Sequence, residues 1–357
     1  MTKPTLLRIF DGHNDALQFV DPSTDEGRLA FFATGTRNHL DFQRARRGGF
    51  SGGFFAVAVP PDPQVPRLPR DGLTTTADGY EMPLPPPLDP SYAQHTIFAL
   101  TARLFQLEAA SDGQLKVVRT VDELAACLRN GVVAAVFHIE GAEAIDPELH
   151  LLDVLYQAGL RSLGPVWSRP NAFGTGVPFR FPRSPDTGDG LTAAGVDLVR
   201  ACNRLGIMLD VSHLNERGFW DVAALSDAPL VATHSNVHAL CRSTRNLTDK
   251  QLDAIGESDG MVGVAFDVSM LREDGHLEPD TPLTEIVRHV DYLVERIGVD
   301  RVGFGSDFDG ATMPRDLPDV AALPALIDAF RARGYDEPAL RKLAWENWLR
   351  VLGATWR

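Results

Sequence analysis

The segment Arg8-Ile9-Phe10-Asp11-Gly12-His13-Asn14-Asp15 joins a short apolar run to a polar end that contains a histidine. We predict a strand over Arg8–Asp11, because a short apolar run that ends abruptly is typical of a strand buried on both faces. His13 and Asp15 are two positions apart, so their side chains point the same way on an extended backbone. The segment therefore predicts a buried strand whose carboxyl end presents an imidazole beside a carboxylate.

Further apolar runs repeat this pattern along the chain. The predicted strands are Arg8–Asp11, Phe54–Val59, Val132–Ile139, Arg161–Val166, Ile207–Val211, Leu230–Thr233, Met261–Phe266 and Arg301–Gly305. The predicted helices are Ser91–Ala110, Thr192–Leu205, Glu216–Leu225, Thr248–Ile255 with Thr248 as its N-cap, Leu283–Ile297, Pro324–Phe330 and Glu337–Leu352. Eight strands with interleaved helices over 357 residues predict an α/β fold, a (β/α)8 TIM barrel. An open doubly wound sheet is the alternative, but no G-x-G-x-x-G follows a predicted strand.

We predict a single metal-dependent hydrolase barrel domain over residues 1–357, with two long loop insertions. The first covers about residues 60–90 and is crowded with proline, and the second covers about residues 169–190. Both follow predicted strands, so they lie on the face where barrel enzymes keep their active sites. Loops of this length are usually lids or binding loops, with surface decoration or a dimer contact as an equal alternative.

Composition limits the classes of partner. The 48 acidic and 34 basic residues give a formal charge of −14, which disfavours nucleic acid and an anionic membrane surface. No apolar run reaches the ~18 residues that span a bilayer, and the first residues do not resemble a signal peptide. The three cysteines have no CxxC spacing, which suits a reducing compartment and provides no thiolate metal site. We therefore predict a cytoplasmic protein.

Five of the eight predicted strands end in histidine or acidic residues. These residues are His13, Asp15, His138, Glu140, Asp210, His213, His234, Asp307 and Asp309. Because the carboxyl ends of barrel strands meet around one axis, these groups would share one buried mouth. Burial of several carboxylates and imidazoles is costly unless a cation compensates their charge. The donor set favours Zn²⁺ or a similar divalent metal.

The number of candidate ligands points to two metal ions per chain. The five candidates are His13, Asp15, Glu140, His213 and His234. A catalytic zinc uses about three protein ligands and a water molecule, so five suffice for two ions if Glu140 bridges them. Two metals about 3.5–4 Å apart can share a water and lower its pKa towards ~7. Asp307 is then the carboxylate that carries the proton of this water to a leaving amine.

These residues lie in motifs that resemble the membrane (renal) dipeptidase family, the M19 metallopeptidases of the amidohydrolase superfamily. The motifs are Asp11-Gly12-His13-Asn14-Asp15, Ile139-Glu140-Gly141, Asp210-Val211-Ser212-His213, Thr233-His234-Ser235, Arg245-Asn246 and Gly303-Phe304-Gly305-Ser306-Asp307-Phe308-Asp309-Gly310. The resemblance covers about residues 8–352. It implies a barrel with a binuclear zinc centre that hydrolyses dipeptides, often with a D-residue on the carboxyl side.

The resemblance also implies a role for each residue of the site. His13 and Asp15 would hold one zinc, His213 and His234 the other, and Glu140 would bridge the two. Two further residues match functional positions of the family. Asp307 matches the acid that handles the proton, and Arg245 matches the contact to the substrate carboxylate.

The chain departs from the family pattern after the fourth predicted strand. Animal members have a histidine there that steadies the scissile carbonyl, whereas the spacing from Glu140 puts Trp167 at this position. An indole donates one hydrogen bond but carries no positive charge, and loss of an oxyanion donor commonly costs ~10²–10³ in rate. The candidates to replace the histidine are Arg169, Asn171 and His138, and the sequence leaves the choice open.

We predict a zinc metallodipeptidase in which a metal-bridging hydroxide attacks the amide carbonyl of a small dipeptide. Arg245 fixes the free carboxylate of the substrate, and we expect a homodimer by base rate and resemblance. A related amidohydrolase acting on a lactam, a cyclic amide or an N-acyl amino acid is the alternative, which Trp167 favours. The third possibility is an inactive metal-binding scaffold, which the unpaired Asp307 disfavours.

Overall fold

The computed structural model describes residues 6–20, 30–35, 38–63, 74–76 and 78–357. Its strands are β1 (Ile9–Asn14), β2 (Phe50–Ala58), β3 (Thr74–Thr75), β4 (Tyr80–Glu81), β5 (Leu115–Val117), β6 (Val133–Glu140), β7 (Leu160–Gly164), β8 (Arg180–Phe181), β9 (Met208–Leu209), β10 (Val231–Ala232), β11 (Met261–Val264) and β12 (Val302–Phe304). Its α-helices are α1 (Phe42–Gly48), α2 (Pro90–Ala110), α3 (Val121–Asn130), α4 (His150–Ala158), α5 (Ala193–Leu205), α6 (Glu216–Leu225), α7 (Asp249–Glu257), α8 (Val268–Leu271), α9 (Thr284–Ile297), α10 (Leu323–Arg333), α11 (Glu337–Arg341) and α12 (Asn347–Thr355). Short 3₁₀ turns cover Ala16–Phe19, Ala30–Phe32, Val299–Arg301 and Val320–Ala322, and a π-helical turn covers Lys342–Glu346.

Each of the eight predicted strands overlaps an observed strand, and each predicted helix overlaps an observed helix. The predicted helix over Glu337–Leu352 is observed as an unbroken helical segment, in which a π-helical turn at Lys342–Glu346 lies between α11 and α12. Thr248 caps α7 as predicted, and its backbone N–H donates to the Gln251 side chain over 2.9 Å. The strands β3, β4, β5 and β8 and the helices α1, α3, α4 and α8 were not predicted.

The chain has an α/β fold built on a curled sheet of parallel strands. One sheet runs in the order β1-β2-β6-β7-β9, with β5 beside β6, and a second runs β10-β11-β12. A parallel bridge between Asp210 and Val231 connects the segment after β9 to β10. Another parallel bridge joins Asn14 at the end of β1 to Phe308 after β12. All carboxyl ends of these strands therefore lie at the same edge.

The two predicted insertions meet in a small antiparallel sheet. Strands β3 and β4 come from the first insertion and β8 from the second, in the order β3-β4-β8. Tyr80 stacks on Phe181 across this sheet, with ring centroids 6.1 Å apart. The second insertion also reaches the strand ends, since the Val177 N–H donates to the His213 carbonyl over 2.8 Å.

A tryptophan from α12 fills the interior of the sheet. Trp348 is fully buried, and its indole N–H donates to the Phe304 carbonyl over 3.2 Å. A Cβ atom on Gly12 or Gly263 would lie 2.5 Å or 3.0 Å from the indole Cζ2. Glycine at these two strand positions therefore makes room for the indole. Within the described residues, no helix is both long and apolar enough to cross a membrane.

Candidate metal centre

The five candidate ligands come together at the carboxyl edge of the curled sheet. His13 is the last residue but one of β1, Asp15 directly follows this strand, and Glu140 is the last residue of β6. His213 and His234 follow β9 and β10. Each of the five side chains belongs to a residue that is at most 5% exposed, so solvent does little to stabilise their charges.

One carboxylate oxygen lies at the centre of the group. Glu140 Oε1 is 3.0 Å from His213 Nε2, 3.4 Å from His234 Nε2 and 3.6 Å from His13 Nε2. The same nitrogen, His13 Nε2, is also 3.5 Å from Asp15 Oδ2. Two overlapping sets of donors result, one with His13, Glu140 and His234 and the other with His13, Asp15 and Asp307. Within each set, the ligand atoms lie within 4.8 Å of one another.

The protonation tendencies of His213 and His234 suit a bound cation, whereas a cation at His13 must displace a proton. Burial lowers the pKa of His13, but the carboxylates of Glu140 and Asp15 outweigh burial and raise this pKa to about 10. Burial raises the pKa of Glu140 to about 8, and it lowers the pKa values of His213 and His234 well below the usual range. The two imidazoles are therefore neutral, which is the form that binds metal. Both ring nitrogens of His13 are buried without a hydrogen-bond partner among the described residues. A divalent metal bound to His13 Nε2, the ring nitrogen that faces Asp15 and Glu140, would give this nitrogen a partner and offset the buried carboxylates, so the residues fit such a metal.

Hydroxyl groups orient the two neutral histidines from behind. Thr233 Oγ1 donates to Asp210 Oδ2 over 2.5 Å and lies 2.9 Å from His234 Nδ1. Since its single proton goes to Asp210, this hydroxyl accepts the Nδ1–H of His234 and leaves Nε2 with a free lone pair. Ser168 Oγ lies 2.8 Å from His213 Nδ1, within hydrogen-bond distance of that ring. These contacts aim both Nε2 atoms at Glu140, as in metal sites whose histidines are fixed by outer hydrogen bonds.

Asp307 lies beside the centre in a strained backbone conformation. Its φ is 61°, His213 has 66° and Asp309 has 71°, values that residues other than glycine rarely adopt and that cluster at functional sites. The Asp307 N–H donates to the His13 carbonyl over 3.0 Å, which places it against β1. Burial raises the pKa of Asp307 to about 7, with the nearby Asp15 acting in the same direction. This carboxyl can therefore exchange a proton near neutral pH.

Arg245 supplies a buried positive charge on the same side as Asp307. It is 4% exposed, and its guanidinium donates to the His234 carbonyl over 3.3 Å. Burial lowers its pKa, whereas the charges of Asp307 and Glu140 act against this shift. A guanidinium in this environment can form a strong paired contact with a carboxylate ligand.

The other predicted substrate-binding residues lie in different surroundings. Trp167 is half-buried, and its ring centroid lies 5.8 Å from that of His213. The Asn171 amide donates to the Pro165 carbonyl over 2.9 Å and accepts from Phe173 N–H over 2.8 Å, so it stabilises its own turn. His138 is buried inside the sheet, with Nδ1 2.9 Å from Ser162 Oγ, and burial lowers its pKa to about 4.

Sequence reasoning did not find the residues that hold the ligands in position. Gln18 donates to Asp15 Oδ1 over 2.9 Å, and the Ser306 hydroxyl donates to Asp11 over 2.7 Å. Asp11 and Ser306 lie within the motifs that contain His13 and Asp307, and this closeness in sequence was a signal that they support the site. The contact of Gln18 depends on the 3₁₀ turn after β1, which has no clear sequence signal.

Sequence reasoning also did not identify Glu143, a buried acidic residue near the centre. Glu143 follows Glu140 by three positions, and its carboxylate folds back over Gly141. It lies 3.6 Å from the guanidinium of Arg169, a residue that is 1% exposed. No spacing rule pairs these two residues, because the pair forms between loops that follow different strands.

Comparisons with known proteins agree with this geometry. The family model described as membrane dipeptidase (peptidase family M19) matches residues 5–356. The chain is similar to a metallopeptidase from Rhodobacter sphaeroides bound to a phosphinate mimic of the dipeptide L-Ala-D-Ala, with 51% identity, a TM-score of 0.94 and coverage of 99% of this chain and 100% of that chain. It is also similar to the dipeptidase AC, a metallopeptidase of family M19, with 50% identity, a TM-score of 0.94 and 99% of both chains covered.

A curated relative from Klebsiella pneumoniae, an uncharacterised protein in the pqqA 5′ region, is 54% identical over 256 residues. The match covers 72% of this chain and 94% of the relative. The family match extends over nearly the whole chain and includes every candidate ligand. The chain therefore belongs to the M19 peptidases, the membrane dipeptidase family of metal-dependent hydrolases.

Proposed function

We propose that this protein is a dipeptidase with two zinc ions per chain. The observation that carries the proposal is the convergence of three histidine nitrogens on one oxygen of Glu140, all within 3.6 Å. His13 and Asp15 would hold one ion, His213 and His234 the other, and Glu140 would bridge them. Two divalent ions in these positions would polarise the scissile carbonyl and lower the pKa of a water molecule.

We also propose that the two parallel sheets form one closed (β/α)8 barrel. The bridges from Asp210 to Val231 and from Asn14 to Phe308 support this arrangement, because each connects the neighbouring edges of the two sheets. The strand order around the barrel is then β1, β2, β6, β7, β9, β10, β11 and β12. A closed barrel explains why five residues from four strand ends share one mouth.

The residues beside the centre divide the work on the substrate. Arg245 binds the free carboxylate of the dipeptide through its buried guanidinium, which excludes peptides whose chain continues at that end. Asp307 takes up the proton released during attack on the amide and passes it to the departing amine. The charges of Arg245 and Asp307 affect each other's pKa, which supports their placement on the same, carboxyl-terminal side of the substrate.

We propose dipeptides with a D-residue on the carboxyl side as the substrate class. The Rhodobacter sphaeroides relative bound to a mimic of L-Ala-D-Ala supports this choice. Trp167, at the position of the family's histidine, favours a lactam, a cyclic amide or an N-acyl amino acid as the alternative substrate. An inactive metal-binding scaffold is disfavoured, since a buried carboxyl such as Asp307 is costly without a catalytic use.

We further propose a cytoplasmic homodimer without nucleic acid or membrane partners. The three cysteines are all buried and free, which supports a reducing compartment. Light scattering of the purified protein measures its mass in solution and tests the dimer.

The function is tested by amino-acid release from zinc-reconstituted protein. The panel contains L-L, L-D and D-L dipeptides, together with lactams and N-acyl amino acids, and Asp307→Asn serves as the control variant. We expect turnover of L-L or L-D dipeptides and a loss of at least ~10² in kcat for the variant at unchanged zinc content. Turnover confined to lactams or N-acyl amino acids would replace the proposal by its alternative. No turnover of any amide by zinc-loaded protein would favour the scaffold.

A further inference from the structure

A buried ion pair lies behind the mouth of the centre and has unused hydrogen-bonding capacity. The guanidinium of Arg169 lies 3.6 Å from Glu143 Oε1 and donates to the Val59 carbonyl over 3.2 Å. Arg169 Nε and both carboxylate oxygens of Glu143 are buried without a hydrogen-bond partner among the described residues. Such a pair is a weak source of stability, because desolvation of two charges offsets most of their attraction.

Arg169 contacts the side chain that replaces the family's histidine. Its guanidinium carbon lies 5.0 Å from the centroid of the Trp167 ring, within cation–π distance. The same indole contacts Phe179 edge to face at 5.8 Å and His213 at 5.8 Å with a tilt of 35°. Trp167 is thus fixed between a buried cation and a candidate metal ligand, and it keeps a half-buried surface.

The location of Trp167 indicates which part of a dipeptide it meets. In the proposed barrel, β7 precedes Trp167 and lies opposite β12, which precedes Asp307. Asp307 serves the leaving amine, and this nitrogen belongs to the carboxyl-terminal residue of the substrate. The scissile bond then runs away from Asp307, so the amino-terminal residue extends towards the β7 side of the mouth.

We propose that Trp167 is the wall of the pocket for the amino-terminal residue of the substrate, and that the Arg169–Glu143 pair holds this wall in position. The inference rests on the proposed dipeptidase function and deepens it. A rigid indole beside His213 leaves room for a small amino-terminal side chain and excludes a bulky one. Arg169 and Glu143 act through Trp167, so they are positioning residues.

The first test compares Trp167→Ala with the wild-type zinc enzyme on two dipeptide series. One series varies the amino-terminal residue (Gly, Ala, Leu, Phe) before D-Ala, and the other varies the carboxyl-terminal residue after L-Ala. We expect the ratio of kcat/KM for the bulky over the small amino-terminal residues to rise at least about tenfold in the variant. The order of preference in the carboxyl-terminal series stays as in the wild type. Equal changes in both series, or no change in either, would overturn the inference.

The second test separates positioning from simple stability. Arg169→Met leaves Glu143 buried and unpaired, so we expect a lower melting temperature as well as relaxed selectivity. The double variant Arg169→Met with Glu143→Gln removes both charges, so we expect it to recover stability. Its ratio of kcat/KM for bulky over small amino-terminal residues should still exceed that of the wild type by about threefold to tenfold, which is a range typical of size preferences in hydrophobic pockets. Arg350→Met is the control for loss of an arginine far from the mouth, because the partly exposed Arg350 pairs with Asp259 and donates to the Gly260 carbonyl at the opposite end of the sheet. It lowers stability without a change in selectivity.

Two results of the second test would overturn the positioning role. One is a double variant with the wild-type selectivity, and the other is a relaxed selectivity in Arg350→Met. If the wild type hydrolyses no dipeptide, the proposed function fails by itself. Calorimetric binding of phosphinate pseudodipeptides, varied at either end, then decides the inference. Tighter binding of the bulky amino-terminal analogue to Trp167→Ala than to the wild type supports it, and equal binding or no binding overturns it.

Discussion

Replacement of Thr233 by valine removes one hydroxyl group and leaves the side chain nearly the same shape. This hydroxyl donates to Asp210 over 2.5 Å and lies 2.9 Å from His234 Nδ1. The bond to the Asp210 carboxylate is charge-assisted and contributes about 1.5–3 kcal/mol, and the bond to the imidazole contributes about 0.5–1.5 kcal/mol. We therefore expect the free energy of unfolding to fall by about 2–4.5 kcal/mol in metal-free protein.

The same substitution should weaken metal binding. Without the hydroxyl, the His234 ring loses the contact that selects its tautomer, and such losses lower metal affinity about 10–100-fold. Competition with a graded chelator, followed by zinc analysis of the protein, measures this affinity, and urea unfolding in excess chelator measures stability. Thr233→Ser is the control, since it keeps the hydroxyl and should keep most of the affinity. Wild-type zinc affinity in Thr233→Val would refute the idea that this hydroxyl orients His234.

Three further predictions concern other parts of the site. Arg245→Met should raise KM for dipeptides about 100-fold or more, because a buried charge partner of the substrate carboxylate is lost. Steady-state kinetics on a dipeptide and on its carboxyl-terminal amide measure this effect. The variant should hydrolyse the two substrates with the same KM. Gly310→Ala should lower the zinc content after dialysis, because its Cβ would collide with the carboxylates of Asp15 and Asp307. Burial raises the pKa of Glu143 to about 7, against the opposing charge of Arg169, from an ordinary value of 4.5. The pKa of Glu143 is thus higher in the folded than in the unfolded protein. The free energy of unfolding therefore falls as the pH rises from about 4.5 to 7, by about 3 kcal/mol in total. Urea unfolding of zinc-loaded protein at pH 5 and pH 8 should show this decrease in the wild type relative to Glu143→Gln, and parallel pH profiles would contradict it.

The parts of the structure that local sequence rules govern were predictable. Strands buried on both faces have continuous apolar runs, so their positions and the polar residues at their ends were visible in the sequence. His13 and Glu140 follow from this rule, because each lies where a predicted strand ends. Parallel strands align their carboxyl ends, and this alignment predicts that residues far apart in the chain share one mouth.

The parts that depend on contacts between loops were not predictable. The pair of Arg169 and Glu143 joins segments that follow different strands, and no periodicity connects them. Likewise, β8 joins β3 and β4 only because the two insertions fold over the same edge. Asn171 was a reasonable candidate for a carbonyl contact, but a short polar side chain in a loop often bonds to its own backbone, as it does here.

The position of Trp348 has a consequence for the order of folding during synthesis. Its indole occupies the space that Gly12 and Gly263 leave free, yet it leaves the ribosome after every strand of the curled sheet. At synthesis rates of about 5–20 residues per second, β1 waits on the order of half a minute for this side chain. The last strand, β12, ends 44 residues before Trp348, so the complete set of strands lacks this side chain in its interior for about 2–9 s. A chaperone that shields apolar surface would have its main use in this interval, and the last helix, rather than any strand, completes the fold.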